Sequence, residues 1–320
     1  MTHTREPAPH PPIGVAWRAP SQGPIMVLGA VIVVLAALAV IVGLFARPDP
    51  VAVVTVRGSA AELFGGGVYH YDTVFAGAGN RGTDAVTLLV AIPLLVLCVL
   101  GSRRGSLRWN LMLSGAVAWF LYVYLTMAVG SAFNPLFVVY VTLFSAALWM
   151  LGLVIRNIDL ERLAGQVVGL PRVGPAVLML VSAVATAVIW LVPILAAQLA
   201  GDAPARLDSY TTVVTTAIDA AVITPAAIVA GILILRRSAV GYLMALPLVV
   251  LEAMLAPMIA AQTTSQVLAG VSFQPGEIVG PLAGFAVLAG AAVWVLVTVL
   301  RAEEPNPDRR APPPTPRSAA

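Results

Sequence analysis

The chain has 320 residues, 59% of them hydrophobic and only 10% charged, with a formal net charge of +3 and a mean hydropathy of +0.94. Soluble domains carry about 25% charged residues, so the composition excludes an ordinary soluble domain, offers nothing to nucleic acid, and predicts an integral membrane protein with the lipid bilayer as its first partner. The lone Cys98 excludes an intrachain disulfide, and no Cys or His cluster has the spacing of a metal site; no metal and no cofactor is expected.

Apolar runs long enough to cross a hydrocarbon core of about 30 Å recur along the chain, separated by short segments holding Arg, Gly and Pro. Eight spans are predicted, at 25–46, 84–101, 110–130, 134–155, 174–199, 215–235, 239–261 and 278–300. The fold class expected is therefore all-α, a polytopic transmembrane helix bundle with one long extracytoplasmic loop. Strands of a barrel would alternate over short segments instead. The Pro-rich tails 1–24 and 301–320 read as disordered, flanking a membrane domain over 25–300. Span 1 is longer than a signal-peptide core and follows a long tail, so a retained anchor is expected.

The chain has no Lys, and basic residues fix its orientation. With the N-terminus inside, fourteen arginines fall on the inner side, while Arg47, Arg57, Arg81 and Arg206 fall outside. The positive-inside rule then places both termini in the cytoplasm of a multi-pass protein of the cytoplasmic membrane.

The outer loop 47–83 exceeds an ordinary connector and is expected to be functional or disordered. Its VAVVTVRG stretch alternates like a short strand, and Tyr69, His70, Tyr71 and Asp72 form its densest chemical cluster. His70 beside Asp72 is a ligand or proton acceptor on a chemical reading and a surface hydrogen-bonding pair on the ordinary one. The GGG that precedes them lacks the Lys of a phosphate cradle.

Span 2 opens on Asp84, nineteen residues and roughly 28 Å of helix from Arg103, which puts this acid at the outer surface. Span 3 carries Tyr122 and Tyr124 beyond its middle, where belts of Tyr are common, and Asn134-Pro135 makes the turn into span 4. In span 6, Asp219 lies seventeen residues from Arg236, roughly 25 Å, again near the outer boundary, with Thr212, Thr215 and Thr216 on its helical face. TDAVTLLVAIP and IDAAVITP, each running on to an Arg pair, share one plan and raise an internal repeat.

Glu252 in span 7 has apolar neighbours at every helical offset and prolines, Pro247 and Pro257, on both sides. Ionised and facing lipid it would cost about 2.5 kcal/mol or more, so it is expected to face the bundle interior, to be protonated, or to pair with another helix. Gly280 with Gly284 and Ala227 with Gly231 are spaced for close helix packing within the chain.

YDTVF, the TD opening span 2, FNPLFVVYVTLFS and the Asp, Pro, RR, GY run across spans 6 and 7 resemble multi-spanning membrane proteins of bacteria that carry no assigned activity, over about residues 66 to 250. The resemblance implies the membrane class and supplies no catalytic residue. An all-Arg, Ala- and Val-rich composition also fits a bacterial source.

The leading functional expectation is a permease-like protein whose outward-facing acidic site, drawn from Asp84, Asp219, Glu252, Tyr122, His70 and Asp72, takes a cation or small polar solute. Against it, no span shows an unwound core with polar residues at midplane, as many secondary transporters do. The alternative is a membrane-anchored binding, sensor or assembly subunit using the outer loop, its protein partner unknown. A membrane enzyme ranks last, since HExxH and GxSxG are both missing.

Overall fold

The computed structural model describes residues 22–301. The tails expected at 1–24 and 301–320 therefore lie outside the described residues, except that 22–24 and Arg301 are helical. In chain order the elements are α1 (Gln22–Phe45), a hairpin of β1 (Val51–Val54) and β2 (Ala60–Leu63), α2 (Val74–Ser102), α3 (Leu107–Gly130), α4 (Phe137–Arg156), the short α5 (Leu160–Val167), α6 (Val173–Ala200), α7 (Val214–Leu235), α8 (Ala239–Leu268) and α9 (Pro275–Arg301). All except α5 are long and apolar enough to cross a membrane, eight in number among the described residues. The architecture is that of an all-α integral membrane protein, and both ends of the described chain lie at one end of the bundle, called here the arginine end after Arg103, Arg104, Arg236 and Arg237.

The helices form two groups with the same packing cycle. In the first, α1 packs on α2 and α4, and α3 closes the cycle between them; in the second, α6 packs on α7 and α9, and α8 closes it. The α5 helix joins the groups, capped by Asp159, whose carboxylate accepts from the Glu161 and Arg162 amides at 3.0 Å. Its Leu163 and Val167 turn inward, and this amphipathic turn was invisible to hydropathy.

Both second helices carry the same defect. A wide π turn occupies Thr87–Ala91 in α2 and Asp219–Ile223 in α7, and each ends two residues before a proline, Pro93 or Pro225. Proline has no N–H to complete the normal ladder and its ring crowds the preceding turn, so a locally widened turn accommodates it. Aligned on their prolines, the two helices match Asp219 with Thr87 rather than with Asp84, so the repeat seen in the sequence holds for backbone shape but not for the acids.

Hydropathy misplaced two helix ends. α2 begins at Val74, capped by the Thr73 hydroxyl accepting from Ala76 at 3.2 Å, so ten residues assigned to the outer loop are helix. α8 runs on through the polar AQTTSQVL to Leu268 rather than stopping at 261. These two extensions pack on each other. A side chain at Gly82 would strike the backbone of Gln262, while the Gln262 amide donates to Thr83 at 2.8 Å and Gln266 to the Phe75 carbonyl at 3.0 Å. Glycine lets the backbones approach, and the amide bonds fix their register. Further down, Gly115 of α3 receives Val250 of α8, and Trp119, Phe120 and Leu113 fill the core between the groups.

Candidate functional site

α8 closes tightly on α2, but the corresponding pair in the other sense, α3 and α7, meets chiefly near Gly130 and Val214, where the glycine leaves room for the valine. Between them opens a cavity of about 660 Å³, walled also by α6, α8 and α9. That volume falls in the range of small-molecule sites.

Two acids line it. Asp219, at the first position of the wide turn in α7, is 8% exposed and receives two donors, the Tyr122 hydroxyl at 3.0 Å and the Trp190 indole N–H at 2.9 Å. Both carboxylate oxygens are thereby satisfied, and the three side chains tie α3, α6 and α7 together across the gap. Glu252 of α8 is 6% exposed; its Oε1 accepts from the Ser182 hydroxyl of α6, and its Oε2 has no partner. Thr224 of α7, also among the lining residues, has a second buried oxygen without a partner. A buried polar atom left unpaired costs free energy, so a cavity that holds one favours a guest able to donate to it. Among the described residues lining the cavity, Arg206 is the one basic side chain, and it sits at the mouth.

A strap of residues 201–213 crosses that mouth. Arg206, held at φ 62°, stacks its guanidinium on Phe75 at 4.2 Å and on Phe273 at 5.3 Å, and approaches Glu277 at 3.6 Å. Glu277 in turn accepts from the Gln274 amide and caps α9. The hairpin grips the strap from the other side, Arg57 donating to the carbonyls of Asp208 at 3.3 Å and Tyr210 at 3.0 Å. Replacing Arg206 by Ala removes both stacking contacts, and amide exchange across 201–213 is expected to accelerate several-fold while exchange in α3 and α8 stays unchanged.

Of the six residues singled out in the sequence, Tyr122, Asp219 and Glu252 share this cavity, and Asp84, His70 and Asp72 do not line it. Asp84 lies ten residues inside α2 and is sealed by protein rather than exposed at an outer surface; its Oδ2 accepts from Tyr69 at 2.6 Å and abuts Gly43 of α1, where no side chain would fit. Burial holds the Tyr69 hydroxyl well above its ordinary value, so it remains a donor. His70 is exposed, its Nδ1 sharing a 2.6 Å bond with the Gly65 carbonyl.

Asp72 is fully buried and knits loops together, accepting at Oδ1 from the Ala132 amide at 2.8 Å and the Tyr210 hydroxyl at 2.7 Å, with Oδ2 unpaired. Burial pushes its carboxyl up to about 6, against the two bonds that pull it down. The folded protein thus keeps a proton there between about pH 4 and 6 that the unfolded chain has lost, so this contribution to stability is present at low pH and disappears as pH rises through 6. Asp72→Asn keeps the Oδ1 acceptor without the charge. It is expected to melt a few degrees above the parent at about pH 8 and to flatten the decline between about pH 4 and 6, as read by thermal unfolding.

Trp190, Ser182, Gln262 and Arg206 were not singled out from the sequence. The paired amides Gln262 and Gln266, four residues apart on one helical face, were the one signal that pointed there. Comparison with known protein families, curated proteins and solved structures gives no match to this chain.

Proposed function

We propose that the protein is a permease-like carrier of a cation in a bacterial cytoplasmic membrane, with both termini in the cytoplasm and the strapped mouth facing outward. The observation that carries this reading is Glu252, a buried acid among the residues lining the cavity with one carboxylate oxygen unpaired, accompanied by Asp219 and by no basic group below the mouth. A cation supplies the missing charge and donors together, and intramembrane acids that face a cavity mark such pathways. The arginine distribution supports the orientation.

Proteoliposomes held at an inside-negative potential test it with radiolabelled sodium, methylammonium and hexylammonium. Uptake of at least one above protein-free vesicles, lost in Glu252→Gln, supports the proposal. No uptake of any of them, or uptake the variant retains, rejects it.

One observation favours a second reading, of a binding or assembly subunit: the hairpin presents Val54 at 77% and Val56 at 91% exposure beside Tyr71 at 61%. An apolar edge beyond the bundle is what a partner would cover. Val54→Ser with Val56→Ser would then abolish co-purification of a partner while leaving cation uptake unaltered.

A further inference from the structure

The cavity has two approaches, and they differ. At the loop end the strap is bonded down by Arg57 and Tyr210 and plugged by Arg206 between two phenylalanines. On the lipid side, α6 and α9 part. The buried residues of α6 stop at Ala183 and those of α9 begin at Ala289, and the two helices touch near the arginine end, where Gly174 receives Trp294. Beyond that contact, Ile189 is 51% exposed while lining the cavity, and exposed Pro193 and Pro281 line it too. The Gly280–Gly284 stripe, expected to pack tightly within the chain, is instead left uncovered, since a side chain at either position would meet nothing within 4 Å. Ile189 lies seventeen residues from Arg172 and Leu288 thirteen from Arg301, roughly 25 and 20 Å of rise, which sets the opening inside a hydrocarbon layer about 30 Å thick.

We infer that the cavity takes an amphiphile, an ammonium group at Glu252 joined to an apolar chain that enters sideways from the bilayer between α6 and α9. The inference rests on the cation reading and narrows it. Apolar and aromatic side chains, among them Trp119, Ile189, Phe285 and Leu288, make most of the wall, so a small hydrated ion would leave them unsatisfied while an alkyl chain covers them. A primary ammonium brings three N–H donors and a positive charge to Glu252, whose Oε2 has no partner within the chain. Among the described residues no three His, Cys, Asp or Glu groups gather as a set of metal ligands.

The test uses the full-length protein in lipid nanodiscs and follows quenching of indole emission, to which Trp119 and Trp190 contribute, by terminally brominated alkylammonium ions of increasing length, with brominated dodecyl sulfate as the anionic control. Uptake by the bilayer alone rises about threefold to fourfold per methylene, so affinity is read against protein-free discs, and the corrected value is expected to increase up to the chain length that fills the cavity and no further. Glu252→Gln is expected to weaken the longest ammonium at least tenfold, and the sulfate is expected to show no Glu252 dependence. Ile189→Phe, which adds bulk without a second indole at a residue both half exposed and lining the cavity, is expected to slow association of the long ammonium at least fivefold.

If competing methylammonium or sodium binds through Glu252 as tightly as the long ammonium, the amphiphile is refuted while the cation reading stands. If the long ammonium quenches equally in the parent and in Glu252→Gln, both fail. If Ile189→Phe leaves association unchanged, entry between α6 and α9 is refuted.

Discussion

Glu252→Gln is expected to abolish cation uptake without unfolding the protein. Gln preserves the volume and the oxygen that accepts from Ser182, but replaces the free Oε2 with an amide that repels an incoming donor. Losing a charge-assisted bond in a buried site is worth about 1.5–3 kcal/mol, roughly a tenfold to hundredfold fall in affinity. Glu252→Asp, which keeps the charge but withdraws it by one methylene, is expected to fall between the two. Substituting Asp219 by Asn is expected to cost less, because both of its oxygens already hold donors from Tyr122 and Trp190. Initial uptake rates, set beside melting temperatures of the same preparations, separate these outcomes from a simple loss of folded protein.

The second large effect concerns stability. Gly82→Val drives a branched side chain into the backbone of Gln262, and neither helix can withdraw without breaking the bonds to Thr83 and Phe75. Overpacking of this kind costs about 3 kcal/mol, and a sharp drop in melting temperature or in yield of folded protein is expected. Gly284→Val, made on a surface that meets nothing within 4 Å, is expected to change stability by less than about 0.5 kcal/mol. Equal effects from the two substitutions would show that the α2–α8 seam is not the rigid contact described.

The eight spans were legible because crossing a hydrocarbon layer is a demand on composition, and composition is what a hydropathy window measures. Where helices continue beyond lipid the window goes blind. VFAGAGNRGT looks like loop, yet its glycines are what admit α8, and AQTTSQVL looks like a terminus, yet its amides hold that contact. For the site, an acid inside an apolar run stands out whatever surrounds it, so Asp219 and Glu252 were found. Of their partners Tyr122 was found too, but Trp190 and Ser182 were not, since they are ordinary residues of membrane helices and acquire meaning through a neighbour on another helix. Asp84 stood out as the acid opening span 2 and Asp72 as a member of the outer loop's densest chemical cluster, but the fold uses them to join α2 to Tyr69 and the strap to the 131–134 turn. A sequence records that an acid is unusual; packing determines which groups it meets.

The wide turn at Asp219–Ile223 amounts to one surplus residue in the winding of α7, and one residue is worth about 100° of rotation. Below it, Gly231 keys the helix onto Leu180 of α6, so the lower half cannot turn. The surplus residue then sets the rotational phase in which the upper half meets Gly130, Tyr122 and Trp190. Excising Ala221 would swing the Asp219 carboxylate away from Trp190 while leaving every side chain of the cavity chemically intact, so the polarity of this wall is specified by chain length as much as by residue identity.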